Sequence, residues 1–273
     1  MSEVTQSQNH AIEKGRVELQ FSRAARRYDK YANVQQRMAE KLFQWWVADN
    51  LTCSEPVRRL IDLGCGTGSL LARIESHDPK GWELHGLDLA AGMVQTAGER
   101  TAAQLVCSDL ESTPFSGQMF EVALSNATMQ WCNSSVAFAE VSRILKPQGV
   151  FCFSTLGPET LCEWRDALEA IGMDPSRVHR FSDSAAIESA LASQGFQVLD
   201  QQRALLVDAY PDASALVRSV RAIGASNASS LSNDAYFGRT QYRRFLDALE
   251  SRADGNGCSA TYDAMWFRCR LNG

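Results

Sequence analysis

Asp62-Leu63-Gly64-Cys65-Gly66-Thr67-Gly68 sets three alternating glycines directly after a strand-like run, Val57-Arg58-Arg59-Leu60-Ile61, and directly before a helix-like one. Glycines at a strand-to-helix corner adopt backbone conformations closed to other residues. They also leave room for a ligand to meet the main chain where free helix N–H groups point. The dinucleotide version of this corner, G-x-G-x-x-G/A, has a third small residue where helix packs on strand. Here Ser69 stands at that position, and glycine falls at 64, 66 and 68 instead. A second acid, Asp88, ends the next apolar run, Leu84-His85-Gly86-Leu87-Asp88-Leu89, where a carboxylate accepts the ribose hydroxyls of a bound nucleoside. NAD proteins place an acid there too, so Asp88 points to a nucleoside without choosing the cofactor. A third acid, Asp109, closes Gln104-Leu105-Val106-Cys107-Ser108-Asp109-Leu110. A plain β-α turn needs its glycines only for tightness, and two later acids in register argue against that reading.

Five short apolar runs, 58–63, 83–89, 104–109, 120–125 and 149–155, alternate with helix-like stretches at 68–77, 90–99 and 134–145. Lys146-Pro147-Gln148-Gly149 is expected to turn the chain after the last of these. Such alternation predicts parallel β-α-β units with right-handed crossovers, an α/β fold. Ligands in these sheets collect at the strand C-terminal ends, where Gly64, Asp88, Asp109, Asn126 and Thr155 all fall. Ahead of the corner, after a polar tail of about 15 residues, Phe21 to Asn50 reads as one helix, with Met38, Leu42, Trp45 and Trp46 at helical spacing. Beyond 156 come helices near 159–170 and 184–193, a run at 196–208, helices near 213–224 and 239–252, and a final run at 259–270.

The 273 residues suit one large α/β domain with an added cap, or two small domains. The longest apolar runs are far below the roughly 18–20 residues of a bilayer span, and Met1 to His10 lacks the apolar core of a secretory signal. We therefore expect no membrane contact and a cytoplasmic protein. The eight cysteines are scattered, with no C-x-x-C and no histidine at ligand spacing, so buried reduced thiols are expected and no metal. Cys65 lies in the glycine corner, but none of the four histidines is placed by sequence to serve it as a base. A net charge of −5 gives no reason to expect nucleic acid.

The Asp62 corner resembles the D/E-x-G-x-G-x-G corner of S-adenosylmethionine (SAM) methyltransferases, in which an acid at the place of Asp109 meets the adenine amino group. Three acids ending three successive strands favour SAM, which leaves as S-adenosylhomocysteine. The resemblance implies a Rossmann-like seven-stranded fold, mostly parallel with an antiparallel last strand, in which 196–208 and 259–270 are strands six and seven. It further implies a single domain over 1–273 with a helical cap: an N-terminal part at about 20–50 and an insertion at about 210–255. The cofactor-binding candidates are Asp62, Gly64, Cys65, Gly66, Gly68, Asp88, Leu89, Asp109, Leu110 and Asn126.

Further segments are similar to one family, the malonyl-[acyl-carrier protein] O-methyltransferases of biotin synthesis. They are Phe21-Ser22-Arg23-Ala24-Ala25-Arg26-Arg27-Tyr28-Asp29, Ser125-Asn126-Ala127-Thr128-Met129-Gln130-Trp131 and Ser154-Thr155-Leu156-Gly157-Pro158-Glu159-Thr160-Leu161. Leu216 to Ala225 in the insertion and Ala260-Thr261-Tyr262-Asp263 complete the set, whereas Ser226 to Asn256 matches little. The resemblance implies methylation of the free carboxylate of a malonyl thioester on acyl-carrier protein, with no nucleic-acid or membrane partner. A carboxylate is already ionised at pH 7 and needs no general base, in keeping with the absence of a candidate His or Cys. What the reaction needs is positioning.

Arg165, one helical turn beyond the strand-five motif, is expected to grip the malonyl carboxylate, a fork suited to bidentate recognition. An ion pair with Glu169 at i+4 is the competing reading. Tyr28 and Phe21 either close the site or fill core, and Gln130 and Trp131 are expected to shape the adenine or methyl pocket, Trp131 with core as its alternative. Arg23, Arg26, Arg27, Arg218, Arg221, Arg243 and Arg244 gather in the expected cap, as a basic rim for an acidic carrier protein or as solvated helix faces. Rival functions are a carboxyl methyltransferase for a free small dicarboxylic acid and a SAM-fold accessory protein.

Overall fold

The computed structural model describes residues 13–49, 58–78, 81–223, 238–255 and 257–273. Strands β1 (Arg58–Leu63), β2 (Trp82–Asp88), β3 (Gln104–Cys107), β4 (Phe120–Asn126), β5 (Leu145–Leu156), β6 (Phe196–Tyr210) and β7 (Cys258–Leu271) form one sheet in the order β3-β2-β1-β4-β5-β7-β6. Every pairing from β3 to β5 is parallel, and β7 runs antiparallel to both β5 and β6. This is the seven-stranded, mostly parallel α/β architecture expected, with the last strand reversed.

The central strands read as apolar runs because helices cover both sheet faces. One face carries Leu60, Leu84, Leu124 and Cys152 against α2 (Asn33–Asp49), α3 (Ser69–His77) and α6 (Cys162–Ala170). The other carries Ile61, Leu63, Phe151, Phe153 and Phe267 against α5 (Ser134–Ile144) and α7 (Ser184–Ser193). Helix α5 starts where the Asn133 side chain accepts the N–H groups of Ser135 and Val136, replacing intrahelical partners that a first turn lacks.

The single N-terminal helix expected over Phe21–Asn50 is two: α1 (Lys14–Tyr31) and α2, which part at Ala32 with φ −88° and ψ 39°. Both halves have helical periodicity, so only the backbone break separates them. The expected turn at 146–149 also differs. Leu145 already pairs with Phe120, the ladder resumes at Val150 opposite Val122, and Gln148 takes φ 64° between them. The turn residues therefore form an irregularity inside β5.

Helix α4 (Ala91–Gly98) packs against α1, while α8 (Ala213–Ala222) and α9 (Arg239–Glu250) come from the expected insertion. The tail before residue 13 and the insertion's 224–237 lie outside the described residues. Among the described residues, no helix is long and apolar enough to cross a membrane, and no group of three or more His, Cys, Asp and Glu is placed to hold a metal ion.

Candidate functional site

The corner is built by backbone geometry. Gly64 has φ 76°, and a Cβ there would lie 2.2 Å from Thr128 Oγ1; Gly66, φ 53°, faces open space. The N–H groups of Gly64 and Cys65 donate to Leu87 O at 2.7 and 2.9 Å, which ties the loop to the end of β2. Gly68 then caps α3.

Two carboxylates stand behind this loop. Asp62 is 2% exposed, and its Oδ1 has no hydrogen-bond partner. Burial, reinforced by the negative charge of Asp88, pushes its carboxyl up to about 7. Asp88 accepts the N–H of Gly66 on Oδ2 at 2.9 Å and that of Ala90 on Oδ1 at 2.8 Å. Burial lifts it to about 6, against the pull of those two amides. The Cys65 thiol is pushed well above its usual range by burial and then by Asp88 and Asp62, so it is no nucleophile at neutral pH.

Helix α1 lies over the corner and is fastened at both ends. At its C-terminal end Asp29 accepts Thr67 Oγ1 at 2.8 Å and Arg100 Nη2 at 2.5 Å, and Arg100 Nη1 reaches Thr67 Oγ1 at 3.0 Å. At its start Lys14 contacts Asp109 at 2.5 Å and Glu111 at 2.7 Å. Midway, Ser22 Oγ accepts the Gly92 N–H at 3.2 Å; a Cβ on Gly92 would strike the Ser22 backbone. Sequence reasoning passed over Lys14, Thr67 and Arg100 because their partners lie 95, 38 and 71 positions away. Leu89 is partly buried, and its carbonyl takes the Cys107 thiol at 3.5 Å; Leu110 is buried with Ile61, Leu63 and Leu87.

A narrow pocket opens beside the corner, lined by Phe21 and Tyr28 of α1, Gln35 of α2, Ala127, Gln130 and Trp131 after β4, and Leu156, Thr160 and Leu161 after β5. Phe181, Val220, Ile223 and Tyr262 complete it. Tyr28, Gln130 and Trp131 are thus brought together. Gln130 donates to Ala127 O at 2.8 Å and accepts Thr155 Oγ1 at 3.2 Å. Trp131 meets Phe21 edge-on at 5.8 Å and stacks on His179, also at 5.8 Å. Asn126 spans from Ser154 Oγ, which it accepts at 2.7 Å, to Gln35 O, to which it donates at 3.0 Å. Ala127 and Leu161 both take φ above 50°, an uncommon conformation for residues with a Cβ.

Arg165 is not among the lining residues, and it makes no ion pair with Glu169. Its guanidinium donates to Thr160 O and Pro158 O, each at 2.7 Å. Its fork thus holds two carbonyls of the strand-five loop. The same loop is held by β7: Gly157 N–H donates to Asp263 O at 2.7 Å, Leu161 N–H to Thr261 O at 2.7 Å, and Asp263 N–H to Thr160 Oγ1 at 3.1 Å. Asp263, fully buried, pairs with Arg203 at 2.6 Å. The Thr261-Tyr262-Asp263 motif was visible in sequence, but its task of shaping the pocket wall was not.

This arrangement fits a nucleoside carrying positive charge. Asp62 has a buried oxygen without a partner, and a carboxylate has about four lone-pair positions, so the two amides on Asp88 leave capacity for ribose hydroxyls.

Residues 61–153 match the family model described as a methyltransferase domain. The malonyl-[acyl-carrier protein] O-methyltransferase of Herminiimonas arsenicoxydans is 34% identical, the match covering 90% of this chain and 91% of that protein. Its counterpart from Geobacter sulfurreducens is also 34% identical, over 93% and 98%. The biotin biosynthesis bifunctional protein of Saccharophagus degradans is 32% identical over 93% of this chain, which spans 46% of that longer protein. Among solved structures, the Streptomyces coelicolor geranyl diphosphate C-methyltransferase, bound to S-adenosylhomocysteine, superposes with a TM-score of 0.52 at 16% identity, over 89% of this chain and 83% of that one. The Bacillus YcgJ protein gives 0.58 at 16% identity, over 85% and 99%. At such identities the structures establish a shared fold.

Proposed function

Because the chain belongs to the malonyl-[acyl-carrier protein] O-methyltransferase family, we propose that it transfers the methyl group of SAM to the free carboxylate of a malonyl thioester carried by acyl-carrier protein. The product methyl ester enters biotin synthesis. The observation that carries this reading is identity of about a third along nearly the whole of enzymes with that name, cap included. SAM supplies an electrophilic methyl on a positively charged sulfur.

The chain's own residues supply the rest. Asp62 offers its unpartnered oxygen to the donor's positive groups, and Asp88 offers its remaining lone pairs to the ribose. Asp109 is the adenine acid, reached once Lys14 moves from it. Gly64, Gly66 and Gly68 keep the corner open to the ligand, with Cys65 and Leu89 as its flanks and Leu110 and Asn126 as its support. Tyr28, Gln130 and Trp131 then confine the acyl group, so that nucleophile and methyl meet in line.

The carrier protein meets the outer face of the cap. Arg23, Arg26 and Arg27 on α1, Arg218 and Arg221 on α8, and Arg243 and Arg244 on α9 are all exposed, and α8 packs against both α1 and α9. These exposed cations complement an acidic partner.

The test is transfer of radiolabelled methyl from SAM to malonyl-carrier protein, with acetyl-carrier protein and free malonate in parallel. Base-labile label on the malonyl thioester alone is expected. Equal labelling of free malonate would replace this substrate with a small dicarboxylic acid, and SAM binding without transfer would leave an accessory role.

A further inference from the structure

None of the described residues lining the pocket is charged. The described wall therefore offers a carboxylate only neutral donors. Most polar groups of the wall are engaged: Gln130 at both ends of its amide, Thr160 by the Asp263 N–H, and Tyr262 with Tyr210. The Tyr28 phenol, the Gln35 side-chain amide and the Trp131 indole N–H have no hydrogen bond among the described residues, and of these the phenol and the amide come from the two N-terminal helices. Tyr28 belongs to α1, whose next residue, Asp29, accepts the Thr67 hydroxyl of the glycine corner.

We propose that Tyr28 and Gln35 hold the malonyl carboxylate as neutral donors, and that its charge is balanced by the positive charge of the bound methyl donor. This rests on the functional reading above. An arginine in that place would neutralise the nucleophile and occupy its lone pairs. It would also stand beside another cation, and like charges about 5 Å apart repel. Neutral donors orient the carboxylate and leave its charge available to attract the donor. The acyl substrate then binds after the methyl donor. Once methylated, it has lost its charge at the same moment as the sulfur, so nothing electrostatic retains the product.

The experiment is calorimetric titration of malonyl-pantetheine, with acetyl-pantetheine as control, into the full chain saturated with either S-adenosylhomocysteine or sinefungin. Sinefungin carries a charged amine where S-adenosylhomocysteine has neutral sulfur. Malonyl-pantetheine should bind roughly tenfold or more tightly to the sinefungin complex, and acetyl-pantetheine equally to both. Tyr28→Phe and Gln35→Leu should each weaken the malonyl thioester by roughly tenfold or more while sparing the acetyl one. Arg165→Gln, which removes the charge yet keeps a donor for the loop carbonyls, should leave it within about twofold. Equal malonyl affinity in the two complexes, or loss in Arg165→Gln with none in Tyr28→Phe, overturns the proposal. Wild-type enzyme that binds neither thioester overturns the functional reading itself, and this inference with it.

Discussion

Replacing Asp62 by asparagine should make the ligand-free enzyme more stable, and increasingly so as pH rises. Asp62 is buried and its carboxyl is lifted from 3.8 to about 7. A carboxylate whose pKa is raised by folding leaves stability intact below the unfolded value and removes it progressively as pH climbs toward the folded one. Above about pH 7 the ionised side chain costs the native state about 4 kcal/mol, at 1.36 kcal/mol for each tenfold change. At pH 5 the cost is less than half of that, so Asp62→Asn should gain roughly 2–3 kcal/mol on wild type between pH 5 and pH 8. For a chain of this size that is roughly 4–8 °C in the difference of melting temperatures. Thermal unfolding of both proteins across that range, without ligand, reads it directly. Affinity should move the other way: wild type should bind SAM more tightly as pH rises through 7, and the variant more weakly and with a flatter profile. A stability difference independent of pH would refute the reasoning.

Gly64→Ala should lower stability by about 3 kcal/mol or prevent folding, because strain at positive φ is joined by the clash with Thr128. Gly66→Ala, with open space at its Cβ, should cost only about 1 kcal/mol; urea midpoints that match would contradict this contrast. Asp29→Asn combined with Thr67→Val should speed S-adenosylhomocysteine release in stopped-flow fluorescence. The loss of global stability should stay at about 1–2 kcal/mol, since the Asp29–Arg100 pair is about a third exposed and only the Thr67 hydroxyl is buried; an unchanged release rate would show that α1 is not what detains the ligand. Arg218→Glu with Arg221→Glu should raise KM for malonyl-carrier protein several-fold at low salt and leave malonyl-pantetheine untouched, a difference that salt should erase.

The glycine corner, the strand-ending acids and the sheet pattern were legible because each depends on neighbours in sequence. Asp62, Asp88 and Asp109 lie within two residues of the ends of β1, β2 and β3, where alternation alone puts them. Long-range engagement was not legible. Lys14 meets Asp109 and Arg100 meets Asp29 only after the chain has folded back, and Ala32 breaks a helix that periodicity would continue. Arg165 shows the limit best. Its spacing after the strand-five motif suggested a ligand, and nothing in that spacing showed that two loop carbonyls would meet its fork. Gln35 and Phe181 carry no motif, and only packing brings them to the pocket, as it brings His179 onto Trp131.

The strand order carries a consequence for the timing of assembly. β7, last of the strands along the chain, sits between β5 and β6, and Thr261 and Asp263 hold the loop that shapes the pocket wall. A ribosome therefore delivers the glycine corner and its acids long before the segment that completes the sheet. While Cys258–Leu271 is still in the exit tunnel, β5 and β6 have no strand to join them, and Phe153 and Leu156 lack their cover. Over that interval the unpaired edges of β5 and β6 are of the kind on which incomplete sheets aggregate.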